Sequence, residues 1–293
     1  MQTDIIFSVK CLVKTFKSKR KALDLKVTND HKAVDDVSFD IIRGTSTGLV
    51  GGSGSGKTTL ARCLLLATKP TSGEIFFHPT LNTKINLLNL NPIELRSLRK
   101  NFQMIFQDPY SSLNPHMTVR QIIAEPLLVH DIYKGIDLHE KVNEMITAVG
   151  LDAGHLDRFP GALSGGQRQR VGIARAVIMK PSFIICDEAT SALDSTTQTQ
   201  ILDLLKHLQS KFNLTILFIT HNLDIMRNYC DNIMVMRNGK IIESGDTHGI
   251  FNMPLHPYTK LLLKSGLSIN PDLSVNITAE QNLLDLHDNS IPS

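Results

Sequence analysis

The stretch "GGSGSGKT", Gly51 to Thr58, constrains the fold more than any other part of the chain. It fits the pattern G-x-x-x-x-G-K-[ST], which requires a β-strand before it and an α-helix after it. The strand-like "GLV" precedes it and the apolar helical run "TTLARCLLLA" follows. Gly51, Gly52, Gly54 and Gly56, with Ser53 and Ser55 between them, let the backbone curl so that successive N–H groups converge on an anion. The helix that opens near Lys57 adds the positive end of its dipole. Lys57 is placed to reach the β- and γ-phosphates of a nucleotide such as ATP, the Thr58 hydroxyl to ligate Mg²⁺, and Thr59 follows in the same turn. A strand–loop–helix unit of this kind belongs to an α/β fold with a mostly parallel sheet.

Other segments supply the remaining strands. "PSFIICDE" and "LTILFITH" are short apolar runs bounded by polar residues, the form of strands buried on both faces. "FQMIFQ" and "GEIFF" read as further strands. Ligands of open parallel sheets gather at the carboxyl ends of the strands. Asp187 and Glu188 follow one such end, His221 a second and Gln107 a third. Asp187 is therefore a candidate Mg²⁺ ligand, Glu188 a candidate to polarise a water, His221 a γ-phosphate contact, and Gln107 an uncharged contact to metal or water. Taken singly, the two acids leave a helix cap as a minor alternative, the histidine is more often a structural hydrogen-bonder, and the glutamine reads as a surface residue.

Near the N-terminus, "DIIFSVKCLV" alternates apolar residues at Ile5, Phe7 and Val9, as a half-buried strand does. The lysine-rich "KSKRKALDLKVTNDHK" reads as a solvated hairpin insertion, and "VSFDII" as the next strand. From about 114 to 163 the pattern turns helical, in "TVRQIIAEPLLVH" and "HEKVNEMITAVGL". "IMVMRNGKIIESG" reads as a hairpin turning at Asn238-Gly239. "LSGGQRQR" carries a Ser-x-x-Gln spacing from Ser164 to Gln167, the mark of a capping box. With Gly165 and Gly166 it is either a capped helix start or a second anion site.

At 293 residues the chain suits one large domain with a sub-domain. A net charge of +3 gives no reason to expect nucleic acid as a partner. No apolar run approaches the roughly 18 residues that span a bilayer, and the N-terminus lacks a secretory apolar stretch. The four cysteines are scattered without a CxxC pair, which fits reduced thiols in a cytosol.

Taken in order, "GGSGSGKTT", Gln107, "LSGGQ", "FIICDE", "SALD" (Ser191 to Asp194) and His221 resemble the motifs of ABC-transporter ATPase subunits. That resemblance implies the ABC ATPase fold: a P-loop core with an antiparallel β-subdomain and a helical insert. It implies ATP hydrolysis with Mg²⁺ in a head-to-tail dimer, the second ATPase subunit being a copy or a paralogue. Ser164, Gly165, Gly166 and Gln167 are then expected to meet the partner's ATP in trans, and Asp194 to link the two sites. Phe16 is the candidate for the aromatic residue that stacks on adenine. "FQDPYSSLNPHMTVRQIIAEPL" and "PLHPYTKLLLKS" further resemble oligopeptide, dipeptide and nickel importers. This implies two membrane permeases as partners, an extracytoplasmic solute-binding protein acting indirectly, and a peripheral place on the cytoplasmic face of the inner membrane. The permeases' coupling helices are expected at the helical insert and the groove near Gln107.

No cysteine follows Cys230, so no iron–sulfur cluster is expected. The domain is expected at 1–265, with a tail at 266–293. Peptide is the expected cargo, with a nickel or metal-chelator importer as the alternative. A soluble ABC ATPase of DNA repair or translation, an exporter cassette and a P-loop kinase fit less well. The first usually brings a second cassette, zinc insert or coiled coil, the second fused membrane helices, and the third has no use for "LSGGQ".

Overall fold

A computed structural model describes residues 4–17, 30–106, 108, 112–133 and 135–267. Gln107, most of the lysine-rich insertion and nearly all of the expected tail lie outside the described residues.

Two sheets organise the chain. The first is antiparallel, in the order β2-β1-β4-β5, from β1 (Ile5–Phe16), β2 (His31–Ile42), β4 (Ser72–Phe77) and β5 (Ile85–Asn86). The second has six strands in the order β10-β9-β3-β8-β7-β6. Its members are β3 (Ser46–Val50), β6 (Phe102–Ile105), β7 (Phe183–Asp187), β8 (Thr215–Ile219), β9 (Asn232–Arg237) and β10 (Lys240–Asp246). All neighbours in it run parallel except the β9–β10 hairpin. That hairpin turns at Asn238 and Gly239, both at positive φ (47° and 81°), as the Asn-Gly pair requires.

The helices are α1 (Lys57–Leu64), α2 (Pro92–Leu98), α3 (Val119–Val129), α4 (Gly135–Ala148), α5 (Gly165–Val177), α6 (Ser195–Phe212), α7 (Leu223–Tyr229), α8 (Thr247–Asn252) and α9 (Pro257–Leu267). No helix among the described residues is long and apolar enough to cross a membrane. Helices α3 and α4 lie in the segment whose sequence turns helical. Backbone N–H groups of Val119 and Arg120 donate to Arg158 and Leu156, so the two ends of that insert close on each other.

The central strands are buried on both faces, and their side chains alternate between two cores. Ile184 and Cys186 of β7, with Ile216 and Phe218 of β8, face the core shared with α3, α5 and α6. Phe183 and Ile185, with Leu217 and Ile219, face the core shared with α1 and the antiparallel sheet. Phe7 joins the two sheets there. Its ring centroid lies 4.7 Å from Phe183, 5.3 Å from Phe77 and 6.1 Å from Phe102.

One detail differs from the simple alternation read in β1. Ile6 and Phe7 are both fully buried, while Ile5 is only half-buried. The pairing of β1 with β2 shifts register between Ile5 and Phe7, and again between Val9 and Leu12, where Cys11 adopts φ 47°. Each irregularity breaks the two-residue period locally. Phe7→Ala empties the contact between the sheets and is expected to cost roughly 3–5 kcal/mol. Urea unfolding of the full chain measures that loss.

Candidate functional site

The sheet order places the carboxyl ends of β3, β8, β7 and β6 side by side. Three of these ends carry a chemistry-bearing segment: the glycine loop after β3, His221 beyond β8, and Asp187-Glu188 at β7. These segments line or border one cleft of ≈ 410 Å³. Of the expected site residues, Phe16, Gly51, Ser53, Gly54, Ser55, Gly56, Lys57, Thr58, Thr59, Glu188 and His221 line it. His31 and Ala33 join them from β2, although the sequence reading singled out neither. Phe16 pairs with His31 across β1 and β2, so the two ends of the insertion meet at the mouth of the cleft. Phe16 is 46% exposed.

The loop's glycines are sterically required at two places. Gly56, the N-cap of α1, has φ 106°, and a Cβ there would lie 2.0 Å from the Ala33 carbonyl oxygen. A Cβ on Gly51 would lie 2.1 Å from the Met236 carbonyl oxygen. Both approaches are to backbone, which cannot give way. Lys57 is only 8% exposed, and its Nζ donates to the carbonyls of Gly51 (2.8 Å) and Gly52 (2.9 Å). Burial pushes its ammonium below its ordinary value, against the opposing pull of the Glu188 and Asp187 charges.

Asp187 is 8% exposed, and its Oδ1 accepts from the Thr58 hydroxyl at 3.4 Å. Burial raises its carboxyl above the ordinary 3.8; the Thr58 bond opposes this and the Glu188 charge adds to it. A hydroxyl and a carboxylate oxygen side by side are hard oxygen donors of the kind Mg²⁺ takes. Next along the chain, Glu188 holds a left-handed backbone, φ 46°. Such a conformation costs of order 1–3 kcal/mol and needs support from its surroundings. Support comes from its N–H donating to the Ile219 carbonyl (2.8 Å) and from Ser191, whose N–H and hydroxyl both donate to the Glu188 carbonyl at 3.0 Å. The turn aims the carboxylate at His221, whose Nδ1–H donates to Oε1 at 3.3 Å.

Ser164, Gly165, Gly166, Gln167 and Asp194 do not line this cleft. They form a second cluster on the same chain. The capping box expected from Ser-x-x-Gln is present: Ser164 Oγ accepts from the Gln167 N–H (3.2 Å) and Gln167 Oε1 from the Ser164 N–H (2.9 Å). His155 also touches Gln167, its Nε2 lying 3.2 Å from the Gln167 amide nitrogen. Gly166 faces α6 closely, since a Cβ there would lie 2.6 Å from the Thr197 methyl. Asp194 caps α6 by accepting from the Thr197 N–H at 2.9 Å. The sequence reading also missed Tyr258, whose hydroxyl accepts the Gly52 N–H at 3.0 Å.

The raised carboxyl of Asp187 sets a pH dependence. A carboxyl raised on folding contributes stability that is complete below its ordinary value and is lost as pH climbs through the folded value. Asp187→Asn is therefore expected to melt above the wild type at neutral pH, with the gain vanishing below about pH 4. Thermal denaturation at both pH values measures the difference.

Comparison with known proteins gives the family. The sequence matches the ABC transporter family over residues 34–191 and the oligopeptide/dipeptide transporter C-terminal region over residues 242–290. The oligopeptide transport ATP-binding protein AppF of Bacillus subtilis (strain 168) is 45% identical over 254 residues, 86% of this chain and 76% of that protein. The dipeptide transport ATP-binding protein DppF of Lactococcus lactis subsp. cremoris is 44% identical over 269 residues, covering 91% and 82%. Among solved structures, the dimeric post-hydrolysis state of the ATP-binding cassette MJ0796, bound to ADP and Pi, superposes with a TM-score of 0.71 at 28% identity. That alignment covers 83% of this chain and 99% of that one. The chain belongs to the ABC transporter family, as an ATP-hydrolysing cassette whose C-terminal region is of the oligopeptide/dipeptide transporter type.

Proposed function

We propose that the chain is the ATPase subunit that energises a peptide importer, working as one half of a head-to-tail dimer. The observation that carries this reading is the separation of two anion-ready elements on one chain. The glycine loop, the carboxylates and His221 share one cleft, while the capped start of α5 lies outside it. A second copy or paralogue would bring its own Ser164–Gln167 segment over the first chain's cleft. The dimeric state of the MJ0796 cassette supports a dimer, and the names of the curated relatives support oligopeptide or dipeptide over nickel as the cargo class.

In this reading ATP enters the cleft with its adenine against Phe16 and its phosphates in the loop. Lys57 turns toward the β- and γ-phosphates. The triphosphate then adds to the countercharge that Asp187 and Glu188 already give the buried ammonium. Thr58 and Asp187 would hold Mg²⁺, and Gln107 is the further metal contact expected from the sequence; the ion would supply charge neutralisation at the phosphate oxygens. Glu188, fixed by its backbone turn, orients and polarises the attacking water. His221, anchored through Nδ1, presents Nε2 to the γ-phosphate. The partner's Ser164 hydroxyl and the N–H groups at Gly165 and Gly166 stabilise the transferred phosphoryl group, and Asp194 ties the two sites together. No covalent intermediate is needed.

A groove of ≈ 760 Å³ lined by Phe102, Phe106, Glu125, Pro126 and Arg175 opens between β6, α3 and α5. It includes Phe106 and suits the coupling helices of two membrane permeases, which would hold the chain at the cytoplasmic face of the membrane. The proposed domain is 1–265, with the helical insert at about 114–163.

Two experiments test the proposal. Glu188→Gln is expected to lower ATP hydrolysis by about 10²–10⁴-fold, the range of general-base catalysis, while ATP binding and ATP-driven dimerisation persist. Wild-type turnover in that variant would remove Glu188 from its role. Tagged chain purified from membranes in mild detergent is expected to carry permease subunits, and their absence would count against the importer.

A further inference from the structure

We infer that Tyr258, in the His-Pro-Tyr-Thr segment, is a positioning residue for the glycine loop: its hydroxyl fixes the Gly51–Gly52 peptide unit on which Lys57 rests. This rests on the loop being the nucleotide site.

The Gly51 carbonyl and the Gly52 N–H belong to one peptide unit and point in opposite directions. Lys57 Nζ donates to the carbonyl at 2.8 Å, and Tyr258 Oη accepts from the N–H at 3.0 Å. The unit is thus gripped at both ends. Lys57 has three donors, spent here on the two carbonyls and, at 3.4 Å, on the Ser55 hydroxyl. Whatever share of them a phosphate takes, Tyr258 holds the plane of that peptide from its N–H side, and so holds the first bend of the loop.

Tyr258 is built to stay in place. Its side chain is 5% exposed and belongs to the core shared with α7 and α8. The Arg237 guanidinium lies 4.9 Å from its ring centroid. The turn that delivers it is anchored on β10, where the Glu243 carboxylate accepts the N–H groups of Leu255 (2.7 Å) and His256 (3.0 Å). His256 Nδ1 in turn accepts the Tyr258 N–H at 3.0 Å. A second tie runs from the β9–β10 turn to the loop's far side, where the Gly239 N–H donates to the Ser55 carbonyl at 3.0 Å. The segment after β9 therefore clasps the loop at two points, and Tyr258 is the side chain in that clasp.

The hydroxyl orients the loop in the ground state and in the transition state alike. Its loss belongs in binding and not in turnover. Tyr258→Phe, which keeps the ring, is expected to raise KM for ATP roughly three- to tenfold, the effect of one neutral hydrogen bond. The kcat at saturating ATP is expected to stay at the wild-type value, and the melting temperature to change by less than about 3 °C. These are measured on the purified full-length chain, with Lys57→Ala alongside. Wild-type KM in Tyr258→Phe, or a fall in kcat with KM unchanged, overturns the inference. Should Tyr258→Phe melt much lower, Glu243→Gln becomes the deciding variant, because it loosens only the turn that carries the tyrosine. A raised ATP KM there supports the inference and an unchanged one overturns it. ATP binding by Lys57→Ala at wild-type strength would instead show that the loop is not the nucleotide site.

Discussion

The site depends on a buried ammonium held by backbone carbonyls. Lys57 sits among the carbonyls of Gly51 and Gly52 with little access to water. Its bonds to these carbonyls and a longer one to the Ser55 hydroxyl (3.4 Å) are all to neutral acceptors and do not replace full hydration, and burial accordingly pushes its charge toward loss. The nearby Asp187 and Glu188 offset part of that cost, yet Asp187 is itself buried and raised. The cleft therefore stores unfavourable electrostatics, which the proposed nucleotide and metal ion would relieve together.

Such an arrangement demands that three segments far apart in sequence end at one place. The parallel sheet meets the demand by setting β3, β8 and β7 side by side with their carboxyl ends level. The bond from the Glu188 N–H to the Ile219 carbonyl ties two of those ends directly and maintains the left-handed turn that aims the carboxylate. The contact of Phe7 with Phe183 and Phe102 braces β7 and its neighbour β6 from the antiparallel sheet. Strain at the site is thus carried by a rigid frame.

The capped start of α5 follows a different rule. Its capping box satisfies two N–H groups internally, and the close approach of Gly166 to Thr197 docks it on α6. An element so well seated gains little by moving, which fits a surface offered to another chain. Much of this was legible in advance. The glycine loop, the buried strands, the Asn-Gly hairpin and the Ser164 cap are local features, each set by a few adjacent residues. The double burial of Ile6 and Phe7 was not legible, because a register shift against β2 decides it. Nor were His31 and Ala33, which reach the cleft only because β2 folds back along β1 across the insertion.

The sequence by itself determined the chemistry of this protein: an α/β frame, a phosphate loop, two carboxylates and a histidine at strand ends, and a glycine-rich helix start. These follow from spacing, because strand, turn and helix periods convert position in the chain directly into geometry over a few residues. Tertiary structure alone decided which of these elements share a cleft, and that the Tyr258 hydroxyl takes the Gly52 N–H across a separation of 206 residues. Contacts of that range depend on how the whole sheet and its C-terminal helices pack, and no local pattern encodes them.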